Sequence, residues 1–164
     1  MNKFIISLAL LICHLPLANA LDMITTEDMV IQLLPETKSR GLVIEKRDRP
    51  SLSLTVNFEF NSSILSSDSE DILNGLGAAL KDSRIANCKF EIIGHTDSVG
   101  DNQFNLNLSK RRSASVVKYL IMKYSILEKK LSIIGKGESS PLPDIDPADS
   151  KNRRVEIVNL GDCN

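Results

Sequence analysis

The residue types that could do chemistry gather around one short stretch, Gly94-His95-Thr96-Asp97-Ser98-Val99-Gly100. His95 and Asp97 could give two ligands to a hydrolytic metal site, but such a site needs three protein ligands and an open position. The other histidine, His14, lies in an N-terminal apolar stretch, so no second imidazole is on hand. A thiolate site would need Cys88 and Cys163 free, which an oxidising compartment disfavours. A Ser-His-Asp arrangement is arithmetically open, because serines are abundant. No serine stands in a G-x-S-x-G turn, however. The plainer reading of His95 is a hydrogen-bonded residue that steadies a strand-to-loop turn.

Asp97 and Arg112 support a different chemistry. Arg112 follows Asp97 by fifteen residues, and a short connection can bring the two to one rim of a sheet. They could form a surface salt bridge, worth only ~0–1 kcal/mol. They could equally face a zwitterion, with the carboxylate reading an ammonium and the guanidinium reading a carboxylate. Only arginine offers the second contact as a planar, two-pronged fork. Spacing leaves both readings open.

The elements that must position these residues can be read from periodicity. Leu52, Leu54, Val56, Phe58 and Phe60 alternate, which predicts a strand over 51–60 with one apolar face. Ser67-x-x-Glu70 has the form of a capping box. The helix it opens carries Ile72, Leu73, Leu76, Ala79 and Leu80 on one face. A second strand over 88–93 runs into the polar stretch that holds Asp97. The longest helix covers 105–124, with Leu108, Val116, Val117, Leu120, Ile121 and Tyr124 as its buried stripe. A third strand covers 131–134. A loop rich in Pro, Asp and Ser covers 139–151, and a last strand covers 153–160. The order β-α-β-α-β-β predicts an α+β sandwich: a mixed four-stranded sheet with helices packed on one face.

Ahead of this domain, residues 1–20 read as a signal peptide. Lys3 precedes an apolar stretch, and Ala18-Asn19-Ala20 is a small-x-small cleavage site. The stretch is shorter than the ~20 residues a spanning helix needs and contains Pro16. Ile12 is too large for the position before a lipidated Cys13. Residues 21–50 read as an N-terminal arm. In it, Thr25-Thr26-Glu27-Asp28 caps a short helix that Pro35 ends. Residues 51–160 form the domain and 161–164 a tail. No later segment is apolar enough to span a bilayer. Export leaves Cys88 and Cys163, either as a disulfide or as two buried thiols. A net charge of -1 argues against nucleic acid, and with 4% aromatics and no Trp a base- or sugar-stacking surface is poorly supplied.

Several motifs run in order along the chain. They are Val56-Asn57-Phe58-Glu59-Phe60; Gly94-His95-Thr96-Asp97-x-x-Gly100; Asn105-x-x-Leu108-Ser109-x-x-Arg112; Gly135-x-Gly137-Glu138 with Pro141; and Asn152-Arg153-Arg154-Val155-Glu156-Ile157. Together they resemble the OmpA-like C-terminal domain family, the peptidoglycan-binding OmpA/Pal/MotB-type module, here in an exported stand-alone form. The resemblance spans about residues 51–160. It implies non-covalent binding of peptidoglycan through meso-diaminopimelate, whose free amino-acid end Asp97 and Arg112 would hold. Asn61, Asn105 and Arg153 would line the same pocket. The family's Arg-Ala is Arg112-Ser113 here, a change that leaves the ligand position intact.

The function implied is to link the cell wall to the outer envelope from the periplasm, with peptidoglycan as partner, no cofactor, no metal and no catalysis. The family's best-known members add a β-barrel, lipid anchor or transmembrane helix that this sequence does not show, so the resemblance covers the binding half alone. On the same reading, Cys88 opens the second strand and Cys163 follows the last. If those strands are antiparallel neighbours, the two cysteines meet and pair. One alternative function is a periplasmic adaptor that uses the arm to dock on an outer-membrane or secretion-system protein. A cell-wall hydrolase is a further alternative, but it would need a nucleophile or a complete metal site beside Asp97.

Overall fold

The computed structural model describes residues 24–35, 49–59, 61–161 and 163. The signal peptide and most of the arm read from the sequence lie outside these residues, as does Phe60. The elements are α1 (Thr26–Leu33), β1 (Ser51–Leu54), α2 (Glu70–Ala79), β2 (Phe90–His95), α3 (Asn102–Tyr124), β3 (Leu131–Gly137) and β4 (Val155–Asn159). The sheet order is β1-β4-β2-β3. β4 pairs antiparallel with both β1 and β2, while β3 pairs parallel to β2. The parallel pair requires a crossover, and α3 is that crossover. This is the mixed four-stranded α+β sheet expected, with helices on one face.

Leu52 and Leu54 on β1, Phe90 and Ile92 on β2, and Val155 and Ile157 on β4 point into one core. Leu73, Leu76 and Ala79 from α2 and Val116 and Leu120 from α3 close over it. The short helix read as part of an arm belongs to this core. Thr25 and Asp28 form a reciprocal capping box, and Met29, Val30 and Leu33 are buried. Arg84 grips Glu27 with both terminal nitrogens, at 2.7 and 2.6 Å, and the Asn159 amide donates to the Leu33 carbonyl at 2.7 Å. The apolar face of α1 is therefore covered.

Two local expectations are corrected. The first strand stops at Leu54, paired with Val155, because β4 begins there and offers nothing further to pair with. The alternation still buries Val56, and Phe58 makes an isolated bridge to Leu65. The capping box at Ser67 does not form. Residues Ser67–Ser69 make a 3-10 turn with no side-chain cap. The Ser69 hydroxyl accepts from the Asn57 N–H at 2.7 Å and donates to the Asn57 carbonyl at 2.8 Å. It thereby satisfies backbone groups that β1 leaves unpaired.

α3 begins three residues earlier than its apolar pattern implies, because Asp101 caps it by accepting from the Phe104 N–H at 2.8 Å. Its buried stripe continues N-terminally through Ser113, Arg112, Ser109 and Asn105, all polar. This half of the helix lies on the glycines that end β2 and β3. A Cβ at Gly94 would stand 2.2 Å from the Ser109 carbonyl oxygen, and one at Gly135 would stand 2.7 Å from Lys110. Without those side chains the helix backbone sits directly on the sheet rim and brings Asn105 and Arg112 to the end of β2.

Candidate functional site

The loop after β2 is held at several points. Thr96 N–H donates to the Gly137 carbonyl at 2.9 Å and Ser98 N–H to the Pro147 carbonyl at 3.0 Å. Asn105 reaches back from the first turns of α3. Its amide nitrogen lies 3.3 Å from the Asp97 carbonyl, 3.1 Å from the Val99 carbonyl and 2.7 Å from Glu138 Oε2. These contacts fix the Asp97 side chain at the rim. Asp97 Oδ1 accepts from the Val99 N–H at 3.2 Å, and Oδ2 accepts from Arg153 Nη1 at 2.7 Å.

Arg153 comes from the far end of the chain, just before β4. The buried Asn152 side chain organises its loop, accepting from the Leu142 N–H at 2.8 Å and donating to the Asp146 carbonyl at 2.9 Å. Arg112 is only 8% exposed. Its Nε donates to the Ser62 carbonyl at 3.1 Å, and its guanidinium lies 4.9 Å from the centroid of the Phe58 ring. Its two terminal nitrogens have no hydrogen-bond partner among the described residues. Burial pulls its pKa below the usual guanidinium value, the Arg153 charge adds to that, and Asp97 opposes it.

Asp97, Arg112, Asn105, Arg153 and Asn61 all line one cavity of about 660 Å³. Asn61 is exposed at its edge, with φ 51°, a left-handed conformation that asparagine tolerates. Asp97 does not bond to Arg112: its ionic partner is Arg153, and Arg112 faces the cavity with its fork open. The sequence reading missed Phe58, Thr96, Phe104 and Leu108 on the wall. Phe58 and Leu108 occupy regular apolar positions, which periodicity reads as ordinary core.

Residues 57–154 match the profile of the OmpA family. The chain belongs to the OmpA family. It is 33% identical over 113 residues to outer membrane protein A of Escherichia coli O157:H7, covering 69% of this chain and 31% of that protein. It is 34% identical over 107 residues to outer membrane porin F of Pseudomonas aeruginosa, covering 64% and 30%. The chain thus spans about a third of the length of these relatives. Among solved structures, the peptidoglycan-associated lipoprotein of Burkholderia pseudomallei matches at TM-score 0.54 and 24% identity, over 66% of this chain and 89% of that one.

The remaining sequence candidates lie beside or away from this cavity. His95 Nε2 donates to Glu156 Oε2 at 3.1 Å across β2 and β4, and this bond is the main cause of the lowered Glu156 pKa, with Lys136 and Arg154 adding to it. The His95 side chain thus ties β2 to β4, and no side-chain bond from it to the loop that follows is seen among the described residues. Cys88 and Cys163 form a disulfide at the opposite end of the sheet, with an S–S distance of 2.00 Å. Among the described residues no group of three His, Cys, Asp or Glu could hold a metal, and no helix is long and apolar enough to cross a membrane.

Proposed function

We propose that this protein binds peptidoglycan non-covalently in the periplasm, holding the free amino-acid end of meso-diaminopimelate between Asp97 and Arg112 without catalysing a reaction. The observation that carries this reading is Arg112: a largely buried arginine whose terminal nitrogens, unpartnered among the described residues, open on the same cavity as a carboxylate. Burying a charge is costly unless it meets a partner, and a ligand carboxylate is the partner whose geometry fits the fork. Asp97 then takes the ligand ammonium, beside its existing bond to Arg153. Asn105 acts as a positioning residue, since its amide is already engaged with the loop. Asn61 closes the outer edge.

Membership of the OmpA family supports this reading, as does the likeness to a protein named peptidoglycan-associated lipoprotein. The adaptor alternative rested on the arm helix, whose apolar face is in the core, so wall binding is preferred. Two or three charge-assisted hydrogen bonds at ~1.5–3 kcal/mol each, less the cost of association, give micromolar to millimolar affinity. The test is sedimentation with purified peptidoglycan. Wild type should pellet, while Asp97→Ala and Arg112→Ala should stay in the supernatant with unchanged circular dichroism. Wild type in the supernatant, or either variant pelleting equally well, overturns the assignment.

A further inference from the structure

Beside the large cavity lies a second one of about 250 Å³. It shares Phe58, Arg112 and Arg153 with its neighbour, and Thr55, Asn57 and Lys151 extend it. Three cations line it, and among the described residues no carboxylate does. Asp97 and Glu59 line only the larger cavity. Asp149 stands two residues before Lys151, but its carboxylate is held on the Lys151 backbone N–H at 2.8 Å and does not line the cavity. The Lys151 ammonium has no hydrogen-bond or ionic partner among the described residues.

The charge count is unbalanced. Asp97 pairs directly with Arg153 and reaches Arg112 only through its field, while Lys151 has no carboxylate partner among the described residues. The mutual repulsion is visible at Arg112, where the Arg153 charge works against the protonated form. A zwitterion brings no net charge, so seating it between Asp97 and Arg112 leaves the surplus in place. Like charges gathered on the wall of a cleft raise the local concentration of anions and favour a ligand that carries the opposite excess.

We infer that the Arg112–Lys151–Arg153 cavity is a second subsite, which takes a further carboxylate of the same peptide. The inference rests on the proposed wall-binding function and deepens it. The recognised unit becomes an anionic peptide, read at the zwitterion by Asp97 and Arg112 and at a flanking carboxylate by Lys151 and Arg153. Two carboxylates flank diaminopimelate in a stem peptide, one on the preceding acidic residue and one at the C-terminus, and their chemistry is the same.

The test is calorimetric titration of wild type, Lys151→Gln and Lys151→Arg with three synthetic diaminopimelate peptides. One has both flanking carboxylates free, and each of the others has one of the two as carboxamide. For wild type, amidating the carboxylate that enters the subsite should weaken binding about five-fold, as expected for one partly solvated ion pair. Lys151→Gln should weaken the fully charged peptide by the same factor and should add less than about two-fold to the loss caused by that amidation, since coupled groups are not additive. Lys151→Arg should restore binding. Amidation also identifies which carboxylate is read. The subsite is refuted if Lys151→Gln changes none of the three affinities, or lowers all three equally. If wild type binds no peptide at all, the wall-binding reading fails first and the subsite with it.

Discussion

At the scale of single residues, the site divides into groups that face the cavity and groups that hold those in place. Asn105 belongs to the second kind. It is buried, and one amide nitrogen serves three acceptors on the Asp97–Val99 loop and Glu138. Asn105→Ala leaves those acceptors without their donor, at a cost of about 1–3 kcal/mol. Urea unfolding should register that loss, and peptidoglycan sedimentation should weaken because Asp97 is no longer fixed. Full wild-type stability in the variant would show that water replaces the amide and that the loop holds itself. The acid and the arginine were legible in the sequence by their types and motif spacing. The Asp97–Arg153 bond was not, because the two residues stand 56 positions apart and only the pairing of β2 with β4 brings them together. Lys151 was illegible for the same reason. It lay in a stretch that composition marks only as surface loop.

At the scale of elements, the decisive contact is α3 on the rim formed by β2 and β3. Apart from Leu108, the N-terminal half of its buried stripe is polar, so hydrophobic periodicity read little of it. What sets the close approach is the pair of glycines at 94 and 135. Gly94→Ala would drive a methyl group toward the Ser109 backbone, which cannot rotate away as a side chain could. Over-packing of this kind costs about 1–3 kcal/mol, with backbone contacts at the upper end. The helix must then lift, and Arg112 lifts with it. The expected outcome is a lower thermal midpoint together with weakened wall binding. A stable variant that sediments like wild type would mean that α3 can shift without moving the fork. Alternation and helical spacing did give the order of elements correctly, because a core needs those periods. They overran β1, because the limit there is set by the length of its partner strand, and they missed that the Ser69 hydroxyl serves Asn57 in place of a capping box at Ser67.

At the scale of the whole molecule, the Asp97–Arg112 cavity and the disulfide sit at opposite ends of one sheet. Asp97 follows the C-terminal end of β2, and Cys88 precedes its N-terminal end. Six residues of strand separate the two by roughly 20 Å. The bridge joins residues 75 apart in sequence. In the chain-entropy account, closing such a loop constrains the unfolded ensemble and stabilises the fold by about 2–5 kcal/mol. None of that stabilisation is routed through Asp97, Arg112 or Arg153, so its loss should be felt only through global unfolding. Reduced protein should therefore unfold at a lower urea concentration than oxidised protein. Below that transition it should sediment with peptidoglycan as the oxidised form does. Cys88 is fully buried, so reduction should itself require opening of the chain, and the reduced sample is best prepared in denaturant and refolded. If the reduced protein kept its circular dichroism but lost wall binding, the sheet would have to transmit a distortion along β2 and β4 to the cavity, and the separation between stabilising and binding ends would fail.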